Sequence, residues 1–492
     1  MTEKILVIGA GIAGLNIALA LAPSGRELLL LERDAPPPEG DADQAFFDWN
    51  RRGVGHLRHS HAFLARLRTI IKDQHPALLE QLLAAGCREI GFSDMLPDGL
   101  KRDYAPQPGD RDMAVLTSRR TTLELVIRRY VERLPGVTIL SGVTVRGLIL
   151  EPLDAGQIRV VGAQGDIAGD AGEWRADITI DAAGRNSQAA EQLSEAGAAL
   201  SEEAENCGIL YYTRHYRLLP DKSEPAERKA PGTGDLGFIK YGLFPGDNRC
   251  FSITLAVPDI EMEIRQNIVR PEIFDRICAL LPGIAPWTDP ETAEPISKVF
   301  GMGDLRSRWR SFVASDQRAT LGFFAVGDSL IRTNPLYGRG CSFAAIEAQI
   351  LSGVMAQSDD PGARARLYDT RVRDELTVYY NDMREQDRAA VRRALNARDP
   401  NYSPSLRGRL RQSFIDDGVR IAVRSDIDLL RSAMRDFHMI DPPGAWLKRP
   451  QSMAKVMRWW ARGKRRNAHL YPPPLGPDRK AMMAELGIAE NA

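Results

Sequence analysis

Cysteine is scarce and scattered in this chain. Cys87, Cys207, Cys250, Cys278 and Cys341 are odd in number and form no C-x-x-C pair, which argues against a disulfide scaffold or a thiolate zinc site and fits a reducing compartment. Histidine numbers only seven, so a metal enzyme would have few ligands to draw on and no metal site is expected. Nowhere do about 18 uncharged apolar residues run together, so no transmembrane helix is expected. Neither sign of charge dominates. The 65 Lys+Arg balance 65 Asp+Glu, which gives no support for a nucleic-acid partner. The opening MTEKILVIGAG goes straight into a strand and its apolar run is broken by glycines, unlike a signal peptide. A cytoplasmic protein is the expectation. With 492 residues, 43% hydrophobic and 26% charged, the chain can bury a sizeable core. At about 100–200 residues per domain, two to four domains or one large domain with an insertion are expected.

What is present begins with the first strand. Lys4 to Ile8 (KILVI) is a near-continuous apolar run, as a strand buried on both faces requires. It leads into Gly9-Ala10-Gly11-Ile12-Ala13-Gly14 and a helical pattern through Leu15, Ala18, Leu19 and Leu21. A second strand, Glu27 to Leu31, ends in Glu32-Arg33. The first glycine permits a tight turn, the second lets the backbone approach a pyrophosphate, and the third lets helix pack on strand. The helix N-terminus offers free N–H donors and the positive end of its dipole to phosphates. Glu32 is expected to hold the ribose hydroxyls of an adenosine. Strand, glycines, helix, strand and acid in that order predict a bound dinucleotide, either NAD or FAD.

Two distant segments choose FAD. In Ala176 to Arg185 (ADITIDAAGR) a strand is broken by Asp181-Ala182-Ala183-Gly184. In Leu321 to Ala345 an apolar strand delivers Gly327-Asp328, a loop with Pro335, Gly338 and Gly340, and then a helix. An aspartate at the end of a strand can accept from ribityl hydroxyls. A Gly-x-Gly turn at a helix N-terminus sets positive dipole against the flavin edge where reduction leaves negative charge.

These three segments, in this order across residues 5 to 345, resemble the flavoprotein superfamily of para-hydroxybenzoate hydroxylase, squalene epoxidase, geranylgeranyl reductase and the flavin-dependent halogenases. The resemblance implies that Gly9, Gly11, Ile12, Ala13, Gly14, Glu32 and Arg33 hold the ADP half of FAD. It further implies that Asp328 meets the ribityl and pyrophosphate, and that Pro335, Gly338, Arg339 and Gly340 meet the isoalloxazine, with Gly184 beside them. Arg120, opening the helix Thr121 to Leu134, stands where the family often has an arginine near the pyrophosphate; the alternative is a solvated helix start. Val143, in the short strand after Pro135-Gly136, is either an adenine contact through its backbone or ordinary core. Single-component hydroxylases carry G-A-D-G where this chain has D-A-A-G, with Ala183 in the place of that aspartate. That departure puts direct reduction by NAD(P)H in doubt and points to a separate flavin reductase. No second glycine fingerprint for NAD(P)H is found.

Arg51 to His61 (RRGVGHLRHSH) places His56, His59 and His61 within six residues, with no acidic or sulfur ligand beside them. By resemblance this loop runs past the isoalloxazine. Arg58 and Ser60 are then flavin-edge or substrate contacts, and His59 and His61 are catalytic candidates that could hydrogen-bond a flavin adduct or donate a proton. A solvated loop before a helix from Ala62 to Ile71 is the alternative. Cys207 to Leu218, Leu236 to Phe244 and Arg249 to Val257 read as strands with P-G-T-G and P-G-D-N turns between them. Tyr212, Arg214 and Tyr216 share one face. Aromatic stripes at period two are usually core, but the family's sheet of this kind lines the substrate cavity, which makes these three the expected substrate-lining side chains.

After residue 360 a highly charged helical run reads as the solvated face of long helices. Trp446 to Arg466 then carries eight Lys/Arg, no acid and three of the seven tryptophans. Met453, Val456, Met457 and Trp460 form one helical face. Such a helix either lies on anionic lipid, making the protein peripheral to a membrane, or docks on the protein body. The tail YPPPLGPDR reads as a polyproline-like closing strap.

The expected fold class is α/β: a Rossmann-type, glutathione-reductase-like FAD-binding domain (1–190 and 300–358), an inserted antiparallel-sheet substrate domain (191–299) and a helical C-terminal region (359–492). The expected function is an FAD-dependent monooxygenase. It would hydroxylate or epoxidise an apolar or aromatic small molecule with molecular oxygen through a flavin C4a-hydroperoxide. A prenyl-lipid or alkene reductase and a non-catalytic flavin redox carrier are the alternatives. Halogenation is set aside for want of a W-x-W-x-I-P segment and of an obvious active-site lysine before the middle sheet.

Overall fold

The computed structural model describes residues 3–102, 104–153, 157–226, 230–314, 318–399 and 401–488. Five parallel strands form the first sheet, in the order Phe323–Ala325, Ile178–Asp181, Lys4–Ile8, Glu27–Glu32 and Val137–Ser141. The opening strand lies at the centre, paired with Ile178–Asp181 on one side and Glu27–Glu32 on the other. Helices Ile12–Leu21 and Gly340–Gln357 pack on each other beside it, and Leu15, Ile17, Phe343 and Leu351 join its side chains in one core. Because the strands are parallel, Gly9, Glu32, Asp181 and Gly327 emerge at one edge. In open α/β sheets that edge is where ligands bind.

The chain between these strands builds antiparallel structure. Val143–Pro152, Ile158–Ile167 and Asp170–Arg175 form a three-stranded sheet of which the sequence shows only the beginning. The middle sheet runs Thr233–Asp235, Lys240–Pro245, Cys250–Pro258, Ile209–Leu218, Ala293–Pro295, with Phe300–Met302 also on Ile209–Leu218. One of its faces packs under helix Pro271–Ala279 and the final helix Arg479–Leu486, whose Met482 and Met483 are buried in that second core. The proline-rich strap therefore carries the chain back to the middle sheet. The expected helix from Ala62 begins instead at Ala65; Ala62–Phe63 is a short strand paired with Leu116 and Thr117.

The long charged helix Pro361–Arg398 is not simply a solvated face. Ala365, Tyr368, Val372, Leu376, Tyr379, Met383 and Asp387 recur every three or four residues along a buried stripe. Helix Pro450–Arg466 docks through Val456, which is fully buried with Ala422, Leu429 and Trp446. Trp460 stacks edge-on against Phe414 and donates to Ser413 Oγ at 3.1 Å. Its apolar face is thus covered at Val456 and partly at Trp460, while Met457 is 43% exposed. No helix among the described residues is long and apolar enough to cross a membrane.

Candidate functional site

The turn after the first strand is held by backbone geometry. Gly9 has φ +101° and donates to Leu31 O at 2.7 Å. A Cβ there would lie 2.6 Å from Ala182 O, and one on Gly14 would collide with Gly9 O. Gly11 differs: a Cβ there meets nothing within 4 Å. It caps helix Ile12–Leu21 without any side-chain cap, so the first-turn N–H groups face that open space. Ile12 and Ala13 open the helix behind it.

Glu32 is buried and accepts from Ala10 N and Asp34 N, each at 2.9 Å. It is also paired at 2.9 Å with Arg51, whose guanidinium reaches Glu124 at 2.7 Å and Asp34 at 3.4 Å. Arg120 shares Glu124 at 3.0 Å and donates to Cys341 Sγ at 3.0 Å. Arg120 is therefore no solvated helix start. Two guanidiniums and three carboxylates form one buried chain running from the acid of the second strand to the N-terminal turn of helix Gly340–Gln357. Arg33 is half exposed, 3.7 Å from Asp34. Val143 is 1% exposed and belongs to the main core.

Asp181 accepts from Ala183 N at 3.0 Å and Ser329 Oγ at 3.2 Å, and Gly184 N donates to the same serine at 2.9 Å. The two distant motifs are thereby tied side by side. Asp328 is half buried, and among the described residues no group hydrogen-bonds its carboxylate. Burial raises its pKa against the opposing pull of Arg332, Arg308, Arg120 and Arg185. Behind it, Glu347 is fully buried, accepts from Gly327 N at 2.5 Å and leaves Oε1 without a partner. Burial pushes that carboxyl up to about 8. Gly338 takes φ +65° and Gly340 opens its helix. Arg339 turns away to Tyr379 O and Asp382, both at 2.9 Å, and so anchors the loop to the long helix. Pro335 lies exposed at the loop's tip. An open glycine turn and an unpartnered aspartate at the same sheet edge fit an extended phosphate-bearing dinucleotide.

The histidine loop meets the middle sheet. His59 Nδ1 pairs with Thr213 Oγ1 at 2.9 Å, Thr213 with Thr254 at 2.7 Å, Thr254 with Ser60 at 2.8 Å, and Ser60 with Ser252 at 2.7 Å. Burial and then Arg185 hold the His59 imidazole near 4, so it is neutral at physiological pH. His61 binds His59 O at 2.9 Å and its ring centroid is 5.7 Å from that of His56. Arg58 folds back onto the carbonyls of Phe46, Phe47 and Trp49.

Tyr212, Arg214 and Tyr216 face the other side of the sheet. Tyr216 stacks on Phe251 and donates to Asp275 at 2.6 Å, Arg214 pairs with Asp275 at 2.5 Å, and Tyr212 donates to Arg265 O at 3.4 Å. These three belong to the second core and its rim. The face toward the loops carries Tyr211, Thr213 and His215, one residue out of step, because successive strand residues point oppositely. Sequence reasoning also missed Asn334 and Asp387, which meet behind the Pro335 loop. Asp387 was detectable as an acid continuing an apolar stripe at helical spacing.

No family model and no curated protein matches this chain. Solved structures do. The chain is similar to the flavin-dependent brominase Bmp2, at 18% identity over 94% of this chain and 100% of that one, with a TM-score of 0.59. It is similar to p-nitrophenol 4-monooxygenase PnpA from Pseudomonas putida DLL-E4, at 16% identity over 90% and 98%, with a TM-score of 0.58. The myxobacterial chondrochloren halogenase CndH aligns at 18% identity over 89% and 97%, with a TM-score of 0.57. At these identities the likeness is one of fold, shared alike by monooxygenases and halogenases.

Proposed function

We propose that this protein, having the fold of flavin-dependent monooxygenases and halogenases, binds FAD and inserts oxygen into a small apolar or aromatic molecule. The observation that carries the reading is the convergence at one sheet edge of the open side of Gly11, the carboxyl of Glu32 and the unpartnered Asp328. Glu32 Oε1 would take a ribose hydroxyl, the N–H groups after Gly11 a phosphate, and Asp328 the ribityl chain. The N-terminus of helix Gly340–Gln357 would face the isoalloxazine. A bound reduced flavin supplies the two electrons with which molecular oxygen is activated. This chain's own part is to orient and to exclude water. The positive helix end would favour negative charge on the ring, the buried Arg51–Glu124–Arg120 chain would stiffen the trough beside the phosphates, and the hydroxyl-bearing inner sheet face would shield the ring from water with neutral groups.

Ala183 is exposed where the hydroxylases place an acid, which supports electron supply by a separate reductase. The experiment is FAD titration of the purified protein, then anaerobic reduction and mixing with oxygen, with products sought in the presence and absence of bromide. FAD binding, oxygenated product and slow bleaching by NADPH alone are expected. A protein that takes up no FAD overturns the reading. Rapid bleaching by stoichiometric NADPH overturns the reductase clause, and halogenated product alone moves the reaction to halogenation.

A further inference from the structure

In the C-terminal region a short helix stands without a core. Helix Leu406–Ser413 starts at Ser405, whose hydroxyl accepts from Gly408 N at 3.1 Å, and runs into a π-helical segment, Phe414–Val419. Every residue from 401 to 412 is exposed. Two turns of helix that bury nothing are marginal in water, so this segment has most to gain from a surface outside its own chain.

The helix is sorted into faces. Leu406, Leu410 and Ser413 follow at intervals of four and three residues and so share one side. On that side Ser413 Oγ accepts from the Trp460 indole N–H at 3.1 Å. Gly418 in turn faces both Trp460 and Val456, so the short helix and its continuation run antiparallel to helix Pro450–Arg466. The longer helix breaks at Gly463, φ +76°, one turn past Trp460. Leu406 and Leu410, one and two turns before Ser413, are therefore left uncovered, 67% and 53% exposed.

Helical spacing sets Arg407 and Arg411 on one flank of this leucine stripe and Arg409 on the other. The neighbouring end of the longer helix adds the exposed Arg458, Arg462, Arg465 and Arg466. Among the described residues none of these seven arginines has a carboxylate partner. The nearby acids are taken: Asp416 by Arg420 at 2.8 Å, Asp426 and Asp428 by Lys455 at 2.8 and 3.1 Å.

We propose that this corner of the helical region is a membrane-docking surface, with Leu406 and Leu410 entering the headgroup layer of an anionic bilayer and the arginines beside them meeting lipid phosphates and carboxylates. Charge and shape choose lipid over an acidic protein. Two leucines protrude from a convex helix and are flanked by cations on both sides, the arrangement by which amphipathic helices lie in an interface. A protein partner would more readily be met by anchors in a pocket. Guanidiniums also match phosphate bidentately. Trp460, tied to Ser413 and Phe414, is not the anchor. The surface is independent of the flavin reading.

The test is co-sedimentation of the full chain with phosphatidylcholine vesicles and with vesicles that also carry phosphatidylserine, at low and high salt. At low salt wild type is expected to partition onto the anionic vesicles at least about a hundredfold more strongly than onto the neutral ones. High salt should reverse most of that difference. Arg407→Gln/Arg409→Gln/Arg411→Gln should lose at least about thirtyfold of the anionic partitioning, and Leu406→Ser/Leu410→Ser about tenfold at both salt levels. All five positions are exposed, so both variants should keep the wild-type thermal midpoint. Should the arginine variant be unstable, Arg465→Gln/Arg466→Gln, outside the short helix, reads the same charge with an expected loss of about tenfold. Absence from both vesicle types, or wild-type binding by both variants, overturns the proposal. Binding to polyglutamate without binding to vesicles would assign the arginines to an acidic protein, and a dimer lost in the leucine variant would assign the stripe to a second copy; either result overturns it too.

Discussion

In the trough proposed above for the nucleotide, polarity is buried as full charge: Arg51 and Arg120 are shared among Glu32, Asp34 and Glu124, with no side chain of the five more than 6% exposed. On the inner face of the middle sheet, polarity is buried as neutral groups, a run of hydroxyls from Ser252 to Thr213 ending on an uncharged His59. The difference follows from what each surface would meet. A ligand of permanent negative charge calls for guanidiniums held rigid by carboxylates. A surface over an aromatic ring that changes charge during turnover calls for groups that do not impose a charge of their own. The two regions should therefore fail differently when disturbed.

The largest effect is expected in the trough. Glu124→Ala removes the carboxylate common to Arg51 and Arg120, leaving the buried Arg120 with no carboxylate partner among the described residues while Arg51 keeps Glu32 and Asp34. Removing one partner of such a network costs about 3–5 kcal/mol, read as a shift in urea denaturation, and FAD affinity should fall with it. Stability unchanged within error would mean that the trough's charges are solvated and the contrast with the sheet is false.

Next is Glu347, a buried acid of the trough whose pKa burial pushes up. Its folded pKa of about 8 lies above the ordinary glutamate value of 4.5. Between these values the unfolded chain has lost a proton that the folded chain retains, so stability falls as pH rises through that window. Glu347→Gln should flatten the decline between about pH 5 and about pH 8. Denaturation curves across that range check it, and an unchanged slope would assign the pH dependence elsewhere.

How much of this was legible in the sequence differs between the regions for a physical reason. The glycine turn, Glu32, Asp181 and Asp328 sit at strand ends within short segments, and parallel pairing brings strand ends together. The run of residue types is thus nearly the site itself. The middle sheet depends on parity. Tyr212, Arg214 and Tyr216 form a stripe, but which stripe faces the cofactor loops is decided by packing against Phe251 and helix Pro271–Ala279, contacts invisible in any single strand. The shared role of Arg51 and Glu124 was hidden by their 73-residue separation.

Gly11 against Gly14 sharpens the reading of the trough as a binding surface rather than a fold constraint. Gly11 has φ −79° and open space beyond its Cβ position. Gly11→Val should therefore fold normally yet lose at least about tenfold in FAD affinity, measured by fluorescence titration. Gly14→Val should instead fail to fold, since its side chain meets the Gly9 carbonyl. Equal FAD affinity in Gly11→Val would move the phosphate elsewhere.

The smallest effects separate the two faces of the middle sheet. Tyr216→Phe deletes a hydroxyl that donates to Asp275, whose side chain is 42% exposed and can turn to water. The cost is about 1 kcal/mol, the net worth of an ordinary hydrogen bond. Thr213→Val preserves shape but takes from His59 Nδ1 and Thr254 Oγ1 the partner between them, at a similar or slightly larger cost of about 1–3 kcal/mol for buried groups left unpaired. Stability alone will hardly tell the two apart. The cofactor should. Burial and Arg185 still hold the imidazole near 4, so it should stay neutral in Thr213→Val; freed from Thr213 it can turn, and the visible flavin band and the rate of reoxidation by oxygen should shift at every pH. Tyr216→Phe, behind the sheet, should leave both unchanged. Equal shifts in both variants would mean that the sheet transmits rather than separates, and that the face occupied by Tyr212, Arg214 and Tyr216 belongs to the site after all.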